Sequence, residues 1–348
     1  MAYTTINKST DYFNTKLYTG TGADNNSITG IGFQPDWVWI KSRSGTHSAG
    51  VHELYDAVRG TGKMISSNSS NNEATGTNRL KSFDSDGFTM GDHNQINGGS
   101  TNYVSWNWKA GTGAGSSNTD GSINTTSTSV NSAAGFSIST YTGYGGASTV
   151  GHGLGAVPKM IIVKKRSGSS YDESWYVYHE ALGNTHTLGL NSTGASSDVN
   201  VWNDTTPTSS VFSVGNDSTN RSGNLFVAYC FAEKTGYSKF GSYTGNGNAD
   251  GTFVYTGFKP AFLLIKRTDT TKNWFLHDNK RLGYNPKNEY LHPNLNAAET
   301  TSTEVDILSN GFKFNSSGSG HNGSGGTYVY MAIGQSLVGS NNIPCTAR

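Results

Sequence analysis

Four short motifs recur in one register along this chain, and no other feature of the sequence restricts its fold as tightly. "YTG" stands at Tyr18, Tyr141 and Tyr243; a proline precedes an apolar run at Pro35, Pro158 and Pro260; a lysine closes that run at Lys41, Lys164 and Lys266. Each series steps by 123 residues (141 − 18, 158 − 35, 164 − 41) and then by 102 (243 − 141, 260 − 158, 266 − 164). A fourth motif, "YVSWNWK" from Tyr103, "FVAYCFA" from Phe226 and "YVYMAIG" from Tyr328, keeps the same two steps. Repeats of this length are each the size of a compact domain. The reading is three tandem modules over residues 1–111, 112–235 and 236–348. The tract Gly111 to Ser129, rich in Gly, Ser, Thr and Asn, marks the first boundary as a linker or an added edge strand. The second boundary, around Lys234 to Ser242, is short and holds the second and third modules close together.

Within each module the run after the proline, "DWVWIK", "KMIIVK" or "AFLLIK", is apolar at successive positions. That is the pattern of a central strand covered on both faces. Trp37 and Trp39 correspond to Met160 and Ile162, then to Phe262 and Leu264. Exchange among large apolar types is what a core tolerates, whereas a stacking platform for a ligand needs a ring in every copy. The strand ending at Trp108 alternates, with Val104, Trp106 and Trp108 on one face. Segments such as "FDSDGFTMG" (Phe83 to Gly91) add a turn and a further strand. Several short strands at hairpin spacing per module predict an all-β fold of three tandem β-sandwiches of jelly-roll or concanavalin-like type.

Composition removes several function classes. Charged residues are only 14% of the chain while aromatics reach 11%, so the chain has rings to pack and little of the charge that keeps a chain unfolded. The 25 basic and 24 acidic residues nearly cancel, leaving no field to steer nucleic acid or an anionic membrane. The N-terminal segment lacks the charged and apolar regions of a signal peptide, and no apolar run is long enough to span a bilayer. The expectation is a chain made in the cytoplasm with no membrane insertion. Cys230 and Cys345 cannot build a disulfide framework, and Cys230 sits in an apolar strand as a buried free thiol.

No catalytic signature emerges. The sequence contains no G-x-S-x-G, H-E-x-x-H, phosphate-binding loop or C-x-x-C. Glu304 and Asp306 in "TEVDILS" are the nearest thing to the paired carboxylates of a sandwich-fold glycosidase, but Ser309 stands where a third would be needed, and a solvated strand face is the plainer reading. The nine histidines form no metal-ligand spacing and most read as polar rim residues, and "DSDG" at Asp84 to Gly87 reads as a turn. No cofactor or metal is expected. His179 and His277 fall in similar segments, with Asp56 near the corresponding place. The repeated bases that close the central strands, Lys41 with Arg43, Lys164 to Arg166, and Lys266 with Arg267, read as solvated strand ends. If they emerge on one end of each sandwich they could also meet an anionic polysaccharide or a partner protein.

The layout "YTG … DWVWIK … YDAVRG … SFDSDGF … YVSWNWKAG … NTDG", followed by "GFSISTYTG … GHGLGAVPKMIIVKKR", resembles a module found in virion proteins of marine tailed bacteriophages, and the resemblance covers essentially the whole chain. It implies a sandwich similar to the concanavalin-like lectins and a place among tail fibres, tail-associated adhesins or head decorations. It carries no catalytic residues across. The third module departs most, with "FLHDNKRLGYNPKNEY" in place of the pattern around "YDAVRG", and is expected to make a different contact. The function expected is a non-enzymatic, tail-associated structural protein of the virion surface that contacts host glycan. The alternatives are a capsid decoration protein and, third, a polysaccharide depolymerase using Glu304 or Asp306. Partners would be other virion proteins, further copies of the chain on the particle and host polysaccharide, with no nucleic acid. Candidate ligand-binding residues are Tyr144, Tyr171 and Trp202 from loops and Lys41, Arg43, Lys165, Arg166 and Arg267 from the strand ends.

Overall fold

The structure, a computed structural model, describes residues 4–45, 47, 50–168, 174–215, 217–282, 285–286 and 288–336. It is all-β, built from antiparallel sheets; among the described residues the two α-helices, Asn94–Asn97 and Asp217–Asn220, are one turn each. Among the described residues no helix is long and apolar enough to cross a membrane.

Each repeat contributes one inner sheet with the same core order. In the first, Phe13–Thr19 pairs with Asn102–Trp108, which pairs with Trp37–Ser44, which pairs with Glu53–Asp56. The second repeats this as Phe136–Thr142, Leu225–Phe231, Met160–Lys165 and Trp175–His179, and the third as Ser238–Thr244, Thr327–Ser336, Phe258–Arg267 and Trp274–Asp278. Registers match: Trp37 lies opposite Asp56, Met160 opposite His179 and Phe262 opposite Asp278. The tract at the first boundary does supply an edge strand, Ser127–Asn131, which extends the second inner sheet.

The double-sided apolar pattern of the central strands has two destinations. Val38 and Ile40, Ile161 and Val163, and Leu263 and Ile265 face a smaller outer sheet of their own repeat, making three separate outer cores. Trp37 and Trp39, Met160 and Ile162, and Phe262 and Leu264 face the other way, into a single core shared by all three repeats. Rings interlock there across repeats: Trp37 stacks on Tyr229 at 4.5 Å between centroids, and Trp108 meets Phe262 edge-on at 5.2 Å. Offset and edge-to-face pairs of this kind add about 0.5–1.5 kcal/mol each beyond the area they bury.

The "YTG" motif has a mechanical explanation. The tyrosine hydroxyls of Tyr18, Tyr141 and Tyr243 donate to the carbonyls of Ile96, Thr219 and His321 at 2.7–2.8 Å. The glycines two residues on, Gly20, Gly143 and Gly245, lie so close to a neighbouring backbone that a Cβ would fall 2.2–2.3 Å from a carbonyl oxygen. A side chain there is sterically excluded, so glycine recurs. Three buried asparagines lock the same corner: the Oδ1 atoms of Asn97, Asn220 and Asn322 accept the backbone N–H of Thr21, Tyr144 and Asn246.

Candidate functional site

The strand-end bases are not solvated. The Lys41, Lys164 and Lys266 residues are fully buried, and each ammonium donates to a backbone carbonyl of another repeat: Lys41 to Asn296, Lys164 to Ser70 and Lys266 to Thr193. Burial pushes the Lys41 amine down to about 7 and the Lys266 amine to about 8. The first repeat thus reaches the third, the second reaches the first and the third reaches the second. Three like contacts close into a ring, as head-to-tail interfaces do when the rotation closes.

Two more contacts follow the same cycle. Trp175 donates its indole N–H to the carbonyl of Ser66, and Trp274 to that of Gly189, both at 2.8 Å. In the remaining junction His52 stands in the tryptophan's place. Its Nδ1 accepts from the Trp39 indole at 2.9 Å, which leaves Nε2–H to donate to the carbonyl of His292 at 3.0 Å. A backbone pair completes each junction, from the N–H of Glu73, Ser196 and Glu299 to the carbonyls of Arg166, Thr268 and Arg43.

On this frame two junctions carry a chain of buried charge. Arg59 pairs with Asp56, both fully buried, and with Glu73, which pairs in turn with Arg166 of the second repeat. Arg281 pairs with Asp278, again fully buried, and with Glu299, which pairs with Arg43 of the first repeat; Glu289 joins the same arginine. The inner carboxylates also bond across: the Tyr229 hydroxyl donates to Asp56 at 2.7 Å and the Trp106 indole to Asp278 at 2.9 Å. Burial alone raises the Asp278 carboxyl, but Arg281 and two backbone N–H groups outweigh it and hold the pKa below the usual range. Burial opposes Arg166 and Arg59 at Glu73 in the same way, and Arg43 and Arg281 at Glu299, with the same net lowering. Glu289, buried and beside Glu299, is pushed up to about 7.

At the third junction neutral groups take these four places. His179 replaces the aspartate and bonds the carbonyl of Tyr330, Leu182 packs where the arginine would lie, and Ser196 bonds Thr268 where the other junctions pair glutamate with arginine. It is therefore the second repeat, not the third, that departs from the pattern. The "HDNKR" segment of the third repeats Asp56-x-x-Arg59 as Asp278-x-x-Arg281.

The remaining candidates separate. Lys165 and Arg166 are buried, and Arg43 is committed to Glu289 and Glu299, so none of them is displayed for a ligand. Arg267 pairs with Asp269 of its own repeat and lies over the Tyr328 ring. Trp202 is 1% exposed inside the outer core of the second repeat, so it cannot serve as a stacking surface. Tyr144 is 79% exposed on a hairpin whose backbone Asn220 holds. Tyr171 lies outside the described residues. Five of the nine histidines are not rim residues either: His52, His152, His179, His277 and His321 are buried, while His47, His93, His186 and His292 are half-buried.

Glu304, the carboxylate nearest to a catalytic pattern, is turned toward His321. Its Oε2 lies 3.1 Å from Nδ1, and His321 Nε2 lies 3.2 Å from His277 Nε2. That hydrogen bond holds the Glu304 carboxyl below the usual range, while burial holds His277 well below its own. The pair borders a groove of about 360 Å³ lined by Tyr290, Thr301, Ser302, Thr303 and Glu304. One carboxylate in such a groove can take or give a proton, but glycoside hydrolysis uses two flanking the bond. Asp306 lies across the strand pair from Lys313 and does not line the groove. Among the described residues no three His, Cys, Asp or Glu side chains gather to hold a metal.

One family match runs over residues 8–336, through all three repeats and every junction. The chain belongs to DUF7483, a domain of unknown function. No curated protein matches it. For this DUF7483 chain the sequence signal that could have found the charged junctions was present in Asp-x-x-Arg at Asp56 and Asp278, each followed at some distance by a glutamate.

Proposed function

We propose that this chain is a non-enzymatic structural protein of the exterior of a tailed-bacteriophage particle, tail-associated, that meets host-surface glycan through its outer faces and loops. The observation that carries this reading is the use of its repeated polar residues. They are spent between repeats, fixing three sandwiches into one rigid ring, while the outer sheets and hairpins vary from repeat to repeat on that frame. A rigid scaffold with variable outward loops is how binding surfaces are commonly built. Other virion proteins, and further copies of the chain, would hold it on the particle. Head decoration is a second reading, favoured by the cyclic arrangement, since three like faces suit a lattice position where like subunits meet.

Cryo-electron microscopy of intact particles carrying this chain tests both. Density on the tail supports the first reading, and a regular array over the head selects the second. Particles without such density overturn both.

A further inference from the structure

The outer sheet of the third repeat differs from its two counterparts in one consistent way. Its edge strand Phe253–Tyr255 turns Val254 into the core and leaves Phe253 and Tyr255 facing solvent, 45% and 52% exposed. Residues two apart on a strand share a face, about 7 Å from each other. By register these positions are Ser27 and Thr29 in the first repeat and Thr149 and Gly151 in the second. The neighbouring positions change with them. Lys313 stands where the others have Thr89 and Ser213, and Lys239 where they have Asn14 and Ser137. A face of small hydroxyls and amides in two repeats has become two rings and two lysines in the third.

In the first repeat the small side chains satisfy one another, Ser27 with Thr89 and Thr89 with Asp84. In the second, Ser122 covers Thr149 from a neighbouring segment. The aromatic pair of the third repeat has neither arrangement. Lys239 lies over the Tyr255 ring at 5.5 Å, Lys313 pairs with the exposed Asp250, and Asp306 stands across the strand from Lys313. The charges balance, two of each sign.

We infer that this face binds a glycan without net charge, with Phe253 and Tyr255 stacking on sugar rings and the flanking lysines and aspartates bonding hydroxyls. The chemistry selects this occupant among three. A polyanion would meet as many carboxylates as ammoniums, and an apolar protein surface would have to desolvate charges interleaved with the rings. A polyhydroxylated ring has an apolar face for the aromatics and a polar edge for the charges. The inference rests on the reading of the chain as a glycan-contacting particle protein, and names where that contact is made.

The test uses the full-length chain and the variant F253S/Y255T, which carries the residues of the first repeat at these positions. Binding to dextran, β-glucan and galactan, to polygalacturonate and to a single-stranded DNA oligonucleotide is measured by affinity electrophoresis and titration calorimetry at low and high salt. The expected result is binding to at least one neutral polysaccharide, little changed by salt and weakened at least tenfold in F253S/Y255T. Unfolding curves matching the parent establish that the variant is folded. Binding that survives the double substitution, preference for polygalacturonate or DNA, or no binding to any neutral glycan overturns the inference. Particle location separates it from the broader reading: tail density with F253S/Y255T still attaching to host cells removes this face alone, whereas glycan binding by a chain absent from particles removes the broader reading alone.

Discussion

The junctions on either side of the second repeat are built on the same frame yet held by different chemistry. Between the first and second repeats, Asp56, Arg59, Glu73 and Arg166 form a continuous chain of charge. Between the second and third, the same four places hold His179, Leu182, Ser196 and Thr268. All four change together, so no member of the ion-pair chain is left there without its partner. Buried charges are costly unless every partner is present, whereas replacing the whole set by well-packed neutral groups is often harmless. The comparison teaches that the shared frame of lysine, indole or imidazole, and backbone contacts suffices to dock two repeats. The ion pairs are an addition that must come complete or not at all.

The largest expected effects break a charged chain at one link. Arg281→Met leaves Asp278 buried without its cation and Glu299 with Arg43 alone, and a loss of about 3–5 kcal/mol is expected in denaturant unfolding. His179→Ala removes one hydrogen bond across its junction, to Tyr330, and one accepted from the Ala181 N–H, and is expected to cost about 1–3 kcal/mol. Equal costs would erase the distinction between the junctions. Replacing the full set, D56H/R59L/E73S/R166T, tests it from the other side. The fourfold variant should be more stable than R59L alone, because the single change strands Asp56 and takes from Glu73 one of its two cations; a sum of four independent losses would refute the all-or-none account.

The two charged junctions also differ from one another with pH. Asp278, Glu73 and Glu299 have lowered folded-state pKa values, so their contribution is present above the ordinary values of 3.8 and 4.5 and is lost as pH falls below them. Glu289 works in the opposite sense. Its pKa rises from 4.5 to about 7, so its contribution is full below 4.5 and lost as pH climbs toward 7. After allowance for solvent screening, a decline of about 1 kcal/mol across that window is expected from the junction of the third and first repeats. Glu289→Gln should flatten it, read as the difference in unfolding midpoint between pH 4.5 and 7.5, and Glu73→Gln should not. The smallest effect is expected at Tyr144, whose ring projects into solvent: Tyr144→Ala should stay within about 0.5 kcal/mol of the parent.

Much of the fold was legible because its signals lie in side-chain type and spacing. The apolar character of both faces of "DWVWIK" announced a strand covered twice, and the structure supplies an outer core on one side and the shared core on the other. The junctions were hard to read for a physical reason. Lys41, Lys164 and Lys266 find backbone carbonyls, and a carbonyl at Asn296, Ser70 or Thr193 leaves no trace in residue identity. A lysine at the end of an apolar strand looks the same whether it meets water or the next repeat. Trp202 misled in the opposite way, since a tryptophan amid Asn, Asp and Thr looks like a loop aromatic, while its indole fills the outer core of the second repeat. The aromatic pair Phe253 and Tyr255 becomes conspicuous only when the strand register aligns it with Ser27 and Thr29.

The shared core has a consequence for how the chain reaches this state. Arg43 and Glu299 are 256 residues apart, Trp108 meets Phe262, and the core they share also takes in Met331 and Ile333 from the last described strand. Contacts this remote are slow to form. During synthesis the outer core of the first repeat can close from that repeat alone, and the second brings Tyr229 and Phe231 to Trp37, whereas Trp106 and Trp108 lack Phe262 until the third has emerged. A nascent chain stopped after two repeats therefore presents an open aromatic wall, the kind of surface that chaperones hold and that drives aggregation when they do not.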